Sequence, residues 1–183
     1  MPKNLPQDRL HFNAKLPLCW EDATPVSAFA VEERQQSNIS LLRALTTLET
    51  VPCDKDGEFS SAAQKTLERL EAKTDLALTL LAGLLAGKEK LPPALPISVS
   101  AQGMAWVSAT GPELGAPLLL SIYLSPRFPL PLRLTATVTT SEAQAEERLT
   151  QVDFTNLTPE ILDWLERTVF RYHRRSIQAR QGG

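Results

Sequence analysis

The stretch 118–138, LLLSIYLSPRFPLPLRLTATV, indicates the fold class more clearly than any other part of the sequence. Both of its ends alternate with a period of two, which is typical of strands that have one buried face. Prolines are concentrated between these ends, where they favour a turn. The stretch therefore predicts two antiparallel strands, with inward residues Leu118, Leu120, Ile122 and Leu124 in one and Leu132, Leu134, Ala136 and Val138 in the other.

Similar alternation occurs elsewhere in the chain. Residues 9–20, RLHFNAKLPLCW, predict a first strand, in which Pro17 indicates an edge or a bend. Further short strands are predicted between residues 94 and 156, separated by turns that contain glycine and proline. Such a series of short strands predicts a small antiparallel barrel or sandwich. We interpret Cys19, in the first strand, as a small apolar packing residue.

The inserted segment 31–87 has a helical period instead. It predicts two helices, of which the longer covers residues 60–87. A last helix is predicted over 158–180, because Thr158 suits the N-cap position and Pro159 suits the first helical position. The order of elements is therefore strand, two helices, strands, helix. We expect one domain over residues 1–183, of α+β and mainly β class.

The longer inserted helix carries a regular apolar seam. Spacings of four and three residues alternate along it, as in a coiled coil, and apolar residues outside the seam need cover on further sides. We expect a bundle of more than two chains, with a homotetramer as the simplest form. The alternative is a hairpin of the two inserted helices that lies on the barrel of its own chain. The seam residues are Ala63, Leu67, Leu70, Thr74, Ala77, Leu81 and Leu84.

Composition and charge argue against several classes of function. The formal net charge is −2, so no global field attracts nucleic acid or an anionic membrane. The strongest apolar run, residues 76–87, is too short to span a bilayer. The two histidines and two cysteines have no metal-ligand spacing, and no motif points to catalysis or to a cofactor. Two isolated cysteines and no signal peptide predict free thiols in the cytoplasm.

A short motif that ends at Gly103 resembles that of a known family. Residues 98–103, SVSAQG, resemble the [D/N]-x-S-x-x-G motif of PilZ domains, where Ser100 and Gly103 match and Ser98 replaces the acid or amide. The order of elements and the terminal segment 163–175 resemble the atypical, tetrameric PilZ subgroup. The resemblance implies a six-stranded antiparallel barrel with a two-helix insertion after the first strand and a C-terminal helix. It also implies a four-chain helical bundle.

The other PilZ motif, R-x-x-x-R before the first strand, is incomplete. Arg9 can stand for one arginine, but Asn13 stands four residues later. In the family these arginines hold the phosphates and guanines of cyclic di-GMP, and a guanidinium suits this role because it pairs with phosphate and stacks on purines. The resemblance therefore implies a degenerate ligand site made of Arg9, Ser98, Ser100 and Gly103.

Two functions follow, and both stay open at this point. The first is a non-enzymatic regulatory or scaffold protein in bacterial cyclic di-GMP-related signalling, which acts through protein partners in that pathway or in surface motility. The second is a weak cyclic di-GMP sensor, in which another chain or the last helix contributes an arginine to the binding site. Nucleic-acid binding is disfavoured, because the arginines of the last helix suit the negative end of its dipole. They are Arg167, Arg171, Arg174, Arg175 and Arg180.

Overall fold

The computed structural model describes residues 10–48, 91–125, 130–144 and 147–181, together with the single positions 70, 74 and 81. Six strands form a closed barrel in the order β1-β2-β3-β6-β5-β4, and every neighbouring pair is antiparallel. The six-stranded barrel is therefore confirmed. The elements are β1 (His11–Asp22), α1 (Ala28–Leu48), β2 (Ala94–Ser100), β3 (Gly103–Ser108), β4 (Pro117–Ile122), β5 (Leu132–Gln144), β6 (Glu147–Thr155) and α2 (Pro159–Gln181).

The barrel interior is built from the alternating side chains of the strands. All eight residues predicted to face inward in the stretch 118–138 are buried. Trp106 of β3 is fully buried, and its ring lies 5.2 Å from that of Trp20, centroid to centroid. Complete burial of an aliphatic side chain such as that of Leu118 or Ile122 stabilises the fold by about 2 kcal/mol. The alternation in the sequence therefore correctly predicts which residues face the barrel interior.

Strand β1 changes its partner at Pro17. Its first half, up to Pro17, pairs with β2, and its second half, from Leu18, pairs with β4. The carbonyl of Pro17 accepts a hydrogen bond from the N–H of Tyr123 at 3.1 Å. A proline lacks an N–H to donate, so it suits a point at which the strand changes its hydrogen-bonding partner. The strand continues two residues beyond the predicted end at Trp20, because Glu21 and Asp22 pair with β4.

Helix α1 begins earlier than the periodicity predicts. The hydroxyl of Ser27 accepts a hydrogen bond from the N–H of Ala30 at 3.2 Å, so Ser27 acts as the N-cap and the helix starts at Ala28 rather than near residue 31. At its centre, the buried side chain of Asn38 bonds to both backbone polar groups of Arg133 in β5. These bonds fix α1 against the barrel wall.

Helix α2 starts as predicted from its capping residues. The hydroxyl of Thr158 accepts a hydrogen bond from the N–H of Ile161 at 3.3 Å, and Pro159 is the first helical residue. One face of α2 is buried in the same apolar cluster as the barrel residues and α1. Its second half is fixed to the barrel by a stacked pair, in which the rings of Tyr172 and Phe12 lie 4.7 Å apart. The buried residues of this face are Ile161, Leu165, Thr168 and Val169.

Some expectations fall outside the described residues or differ from the structure. Most of the predicted helix 60–87 lies outside them, although residues 70, 74 and 81 are helical. The interpretation of Cys19 as a packing residue is wrong: its thiol is free and exposed, because alternate residues of β1 point away from the barrel core. No helix in the described ranges is long and apolar enough to cross a membrane. The cytoplasmic location stays a prediction.

Candidate functional site

The serine of the S-x-x-G motif shapes the turn between β2 and β3. The hydroxyl of Ser100 donates to the carbonyl of Gly103 at 2.9 Å and accepts from the N–H of the same residue at 3.1 Å. The N–H of Gln102 also points to this hydroxyl, at 3.4 Å. Ser100 is buried, and these bonds satisfy polar groups that would otherwise be costly to bury. The hydroxyl therefore has a local structural role.

The glycine of the motif allows two strands to approach closely. A Cβ atom at Gly103 would lie 2.3 Å from the backbone oxygen of Val152 in β6 and 3.2 Å from a carboxylate oxygen of Asp153. The first distance is far below van der Waals contact with a backbone atom that cannot move aside easily. Glycine is thus required here by the packing of β3 against β6.

The four residues predicted to bind a ligand are only partly brought together. Ser98, Ser100 and Gly103 lie on one hairpin, and Ser98 is also buried, opposite Asn13 of β1. Arg9 lies outside the described residues, next to Leu10, the first residue of the described range. The role of these four residues in binding stays a prediction.

A cleft of about 460 Å³ lies beside this turn. Its walls come from Leu10 just before β1, the β2–β3 turn and the middle of α2. Arg167 on α2 is the one positive side chain among the described residues that line it. Its guanidinium is 3.0 Å from the carboxylate of Asp163 and 5.1 Å from the ring of Trp164. The lining residues are Leu10, Ser100, Ala101, Gln102, Glu166, Arg167, Val169 and Phe170.

Most residues of this cleft carry no signal in the sequence. Gln102 and Phe170 line it, yet neither belongs to a recognisable motif. More than sixty residues separate the turn from this part of α2 in the sequence, and no local period reports their contact. The signal that the sequence did contain was an aromatic residue, Phe170, outside the apolar face of the last predicted helix. In the structure its side chain is 55% exposed.

The arginines of α2 have individual contacts along the fold. Arg171 donates to the carbonyl of Leu45 at the end of α1, at 3.1 Å. The guanidinium of Arg175 lies 6.0 Å from the ring of Tyr172. Their stems therefore cover protein surface as much as they present charge to solvent. The side chain of Arg180 lies outside the described residues.

Three residues of the predicted seam are described, and all three are solvent-exposed within one chain. Leu70 is 55% exposed and Leu81 is 56% exposed, although both are helical. The hydroxyl of Thr74 donates to the carbonyl of Leu70 at 2.9 Å, a bond with the i to i−4 spacing of a helix. The other four seam residues, Ala63, Leu67, Ala77 and Leu84, lie outside the described residues.

The comparisons with known proteins point to one family. A family model described as "Atypical PilZ domain, cyclic di-GMP receptor" matches residues 42–181. No curated protein matches the chain by sequence.

Within the described ranges, no group of three or more potential ligands is placed to hold a metal ion.

Two solved structures are similar to the chain to very different extents. A pathogenic protein from Xanthomonas campestris, described as a tetrameric PilZ domain self-assembled via an unusual helical bundle, matches with a TM-score of 0.77 and 25% identity. That match covers 95% of this chain and 93% of the other. The inhibitor of motility from Bacillus subtilis matches with a TM-score of 0.37 and 20% identity, over 45% of this chain and 42% of the other.

Proposed function

Because this chain belongs to the atypical PilZ domain family, we propose that it is a non-enzymatic regulatory protein in cyclic di-GMP-related signalling that works as a homo-oligomer. The family description supports the connection to cyclic di-GMP. The Ser100 hydroxyl and Gly103 serve the β2–β3 turn and the β3–β6 contact, which supports a protein that acts through partners rather than through this turn.

The observation that carries the oligomer is the exposure of Leu70 and Leu81. At 3.6 residues per turn, positions 70, 74 and 81 fall within roughly 40° of each other around a helix. Two leucines that are more than half exposed on one helical face leave apolar surface in water. Burial of each against a partner helix would contribute about 1–2 kcal/mol. A second copy of the same face is the simplest partner, because it carries the same seam.

The Xanthomonas protein supports a specific number of chains. Its description combines a tetrameric PilZ domain with a helical bundle, and this chain matches it over nearly its whole length. We therefore propose a tetramer whose bundle contains Leu70, Thr74 and Leu81 and the four seam residues outside the described ranges.

Light scattering coupled to size exclusion tests this proposal. The natural chain is expected to elute with four times the chain mass of 20.2 kDa at micromolar concentration. The double substitution Leu70→Glu with Leu81→Glu places like charges into the seam and is expected to yield monomer or dimer. The matched control is Leu114→Glu, since Leu114 is 68% exposed and does not belong to the seam. A monomer of the natural chain at high micromolar concentration contradicts the proposal.

A second candidate function is a weak cyclic di-GMP sensor. Its support is the cleft beside Ser100, where Gln102 and Arg167 offer polar groups next to Leu10, the sequence neighbour of Arg9. Titration calorimetry with cyclic di-GMP separates the two candidates. Micromolar, saturable binding that Arg9→Ala abolishes favours the sensor. If no heat of binding is measured at high protein concentration, the result favours a regulatory oligomer that does not bind the nucleotide at this turn.

A further inference from the structure

The outer face of α2 exposes two large apolar side chains in its second half. Phe170 is 55% exposed and Ile177 is 41% exposed. Arg174 lies four residues after Phe170 and three before Ile177, so the three side chains follow one row along the helix. Apolar side chains that share an exposed row form a patch of the kind that marks interaction surfaces. We refer to Phe170, Arg174 and Ile177 as the basic row.

The charge of this row is not balanced within its own half of the helix. Residues 167–181 contain five arginines and no aspartate or glutamate. In the described part of the chain, the guanidinium of Arg174 forms no ion pair and no hydrogen bond, whereas that of Arg171 is bonded to the carbonyl of Leu45. Arg174 is exposed and therefore accessible to a partner that carries negative charge.

A row of opposite charge lies at the start of α1. Phe29 is 76% exposed, more than any other large apolar side chain of the described ranges. Glu32 and Glu33 follow it by three and four residues, so both lie beside it on the surface of the helix. Both glutamates are exposed, and neither forms an ion pair or a side-chain hydrogen bond with a described residue. We refer to Phe29, Glu32 and Glu33 as the acidic row.

The two rows match in spacing as well as in charge. Glu33 follows Phe29 by four residues, and Arg174 follows Phe170 by the same four residues. This spacing corresponds to about 6 Å along a helix. When the two helices lie side by side in the same direction, Glu33 meets Arg174 where Phe29 meets Phe170. If one helix is reversed, the charged contact is kept and Phe29 lies near Ile177.

The two rows do not cover each other within one chain, because the residues of both are exposed. Helices α1 and α2 contact through other residues, among them Arg43 and Glu160, whose side chains are 2.6 Å apart. Phe29 precedes Arg43 by fourteen residues, or about 21 Å along α1. A second copy of the chain offers each row its complement in equal number, so it is the partner that the charges favour.

We propose that the basic row of one copy packs against the acidic row of a second copy. The contact is heterologous, since one copy contributes α2 and the other contributes α1, and it closes into a ring when the copies are related by a closed rotation. Copies that are already joined elsewhere hold such a small contact at high effective concentration. This inference goes beyond the proposed function, because no residue of the helical seam belongs to either row.

Exchange of charges between the rows tests the contact. The full chain with Leu70→Glu and Leu81→Glu removes the seam as another source of association, and sedimentation equilibrium at low salt is expected to show weak self-association. Glu33→Arg or Arg174→Glu alone is expected to weaken it about fivefold, because like charges then face each other. The two substitutions together are expected to restore it. Glu142→Arg, at an exposed position outside both rows, is the matched control.

Cross-linking tests the contact with the seam intact. Two co-expressed chains carry Cys19→Ser and Cys53→Ser, and one of them also carries Glu33→Cys while the other carries Arg174→Cys. A short bis-maleimide is expected to join the two chains, because these positions face each other in both helix directions. Leu114→Cys in place of Arg174→Cys is the matched control, since Leu114 is 68% exposed and belongs to neither row. Thermal melts confirm that each variant is folded.

Several outcomes overturn the proposal. One is a cross-link yield no higher than that of the control pair, and another is self-association that the combined charge exchange does not restore. Sedimentation of the chain with vesicles of anionic lipid that Arg174→Glu abolishes, without self-association, identifies the basic row as a membrane surface and also overturns it. A natural chain that is monomeric at micromolar concentration contradicts the seam alone, because the charge exchange is measured without the seam.

Discussion

At the scale of single residues, Ser100 and Gly103 explain the S-x-x-G motif without a ligand. The serine hydroxyl organises the turn by accepting and donating local hydrogen bonds, and the glycine lets β3 lie against the backbone of β6. The strand geometry requires both residues whether or not a ligand binds at this turn. The presence of the motif therefore indicates the fold more reliably than it indicates nucleotide binding.

Substitution of Gly103 by alanine tests this explanation. The added Cβ would meet the oxygen of Val152 at 2.3 Å, so we expect a loss of about 3 kcal/mol in the free energy of unfolding. Gly115→Ala is the comparison, because Gly115 has a φ of 80° but open space around its Cβ, and its expected loss is about 1 kcal/mol. Urea denaturation measures both. A smaller loss at Gly103 than at Gly115 contradicts the explanation.

Asn38 gives a second prediction at this scale. Strand β6 ends at Thr155 opposite Thr135, so the backbone of Arg133 has no strand on that side, and the amide of Asn38 replaces one. Asn38→Ala leaves two backbone groups unpaired, and we expect a loss of about 2 kcal/mol in the free energy of unfolding. The matched control is Ser40→Ala, an exposed position on the same helix. Equal stability of the two variants would show that water replaces the amide without cost.

At the scale of elements, the helix caps are the clearest local signals. Thr158 and Pro159 predict the start of α2, and the hydroxyl of Thr158 does accept from the N–H of Ile161. We expect Thr158→Ala to lower the free energy of unfolding by about 1 kcal/mol. Thr158→Ser keeps a hydroxyl at the N-cap and is expected to retain most of this stabilisation. Thermal unfolding of the three proteins measures the difference. If serine and alanine cost the same, the hydroxyl is not the stabilising group.

The limits of periodicity are also visible at this scale. Strand β1 has a single alternating pattern, yet it has two successive partners, and nothing in its own residues except Pro17 marks the change. The start of α1 was missed because Ser27 caps a turn whose first residues carry no apolar period. Partner choice and register depend on the closure of the whole barrel, which no local window contains.

At the scale of the whole molecule, exposed leucines connect stability with assembly. If the seam is buried between chains, the midpoint of thermal unfolding must rise with protein concentration, because association stabilises the folded state by mass action. We expect this dependence for the natural chain and its loss in the variant Leu70→Glu with Leu81→Glu. Differential scanning calorimetry over a hundredfold range of concentration measures it. A midpoint that is independent of concentration in the natural chain would favour a hairpin within one chain.

The sequence by itself determined the class of the fold, because strand alternation and helix caps are patterns of neighbouring residues. They can be recognised before it is known which elements pack together. It also predicted the resemblance to the atypical PilZ family, which the family model bears out over residues 42–181.

Only the tertiary structure decided which residues meet. It placed Gln102 and Phe170 around one cleft, joined Asn38 to Arg133 across 95 positions, and gathered Glu21 and Arg34 around another cleft. These contacts follow from barrel closure and helix packing, in which distant segments compete for the same apolar surface. Composition and residue spacing do not predict which distant segments come together. The clefts could therefore be identified only in the folded chain.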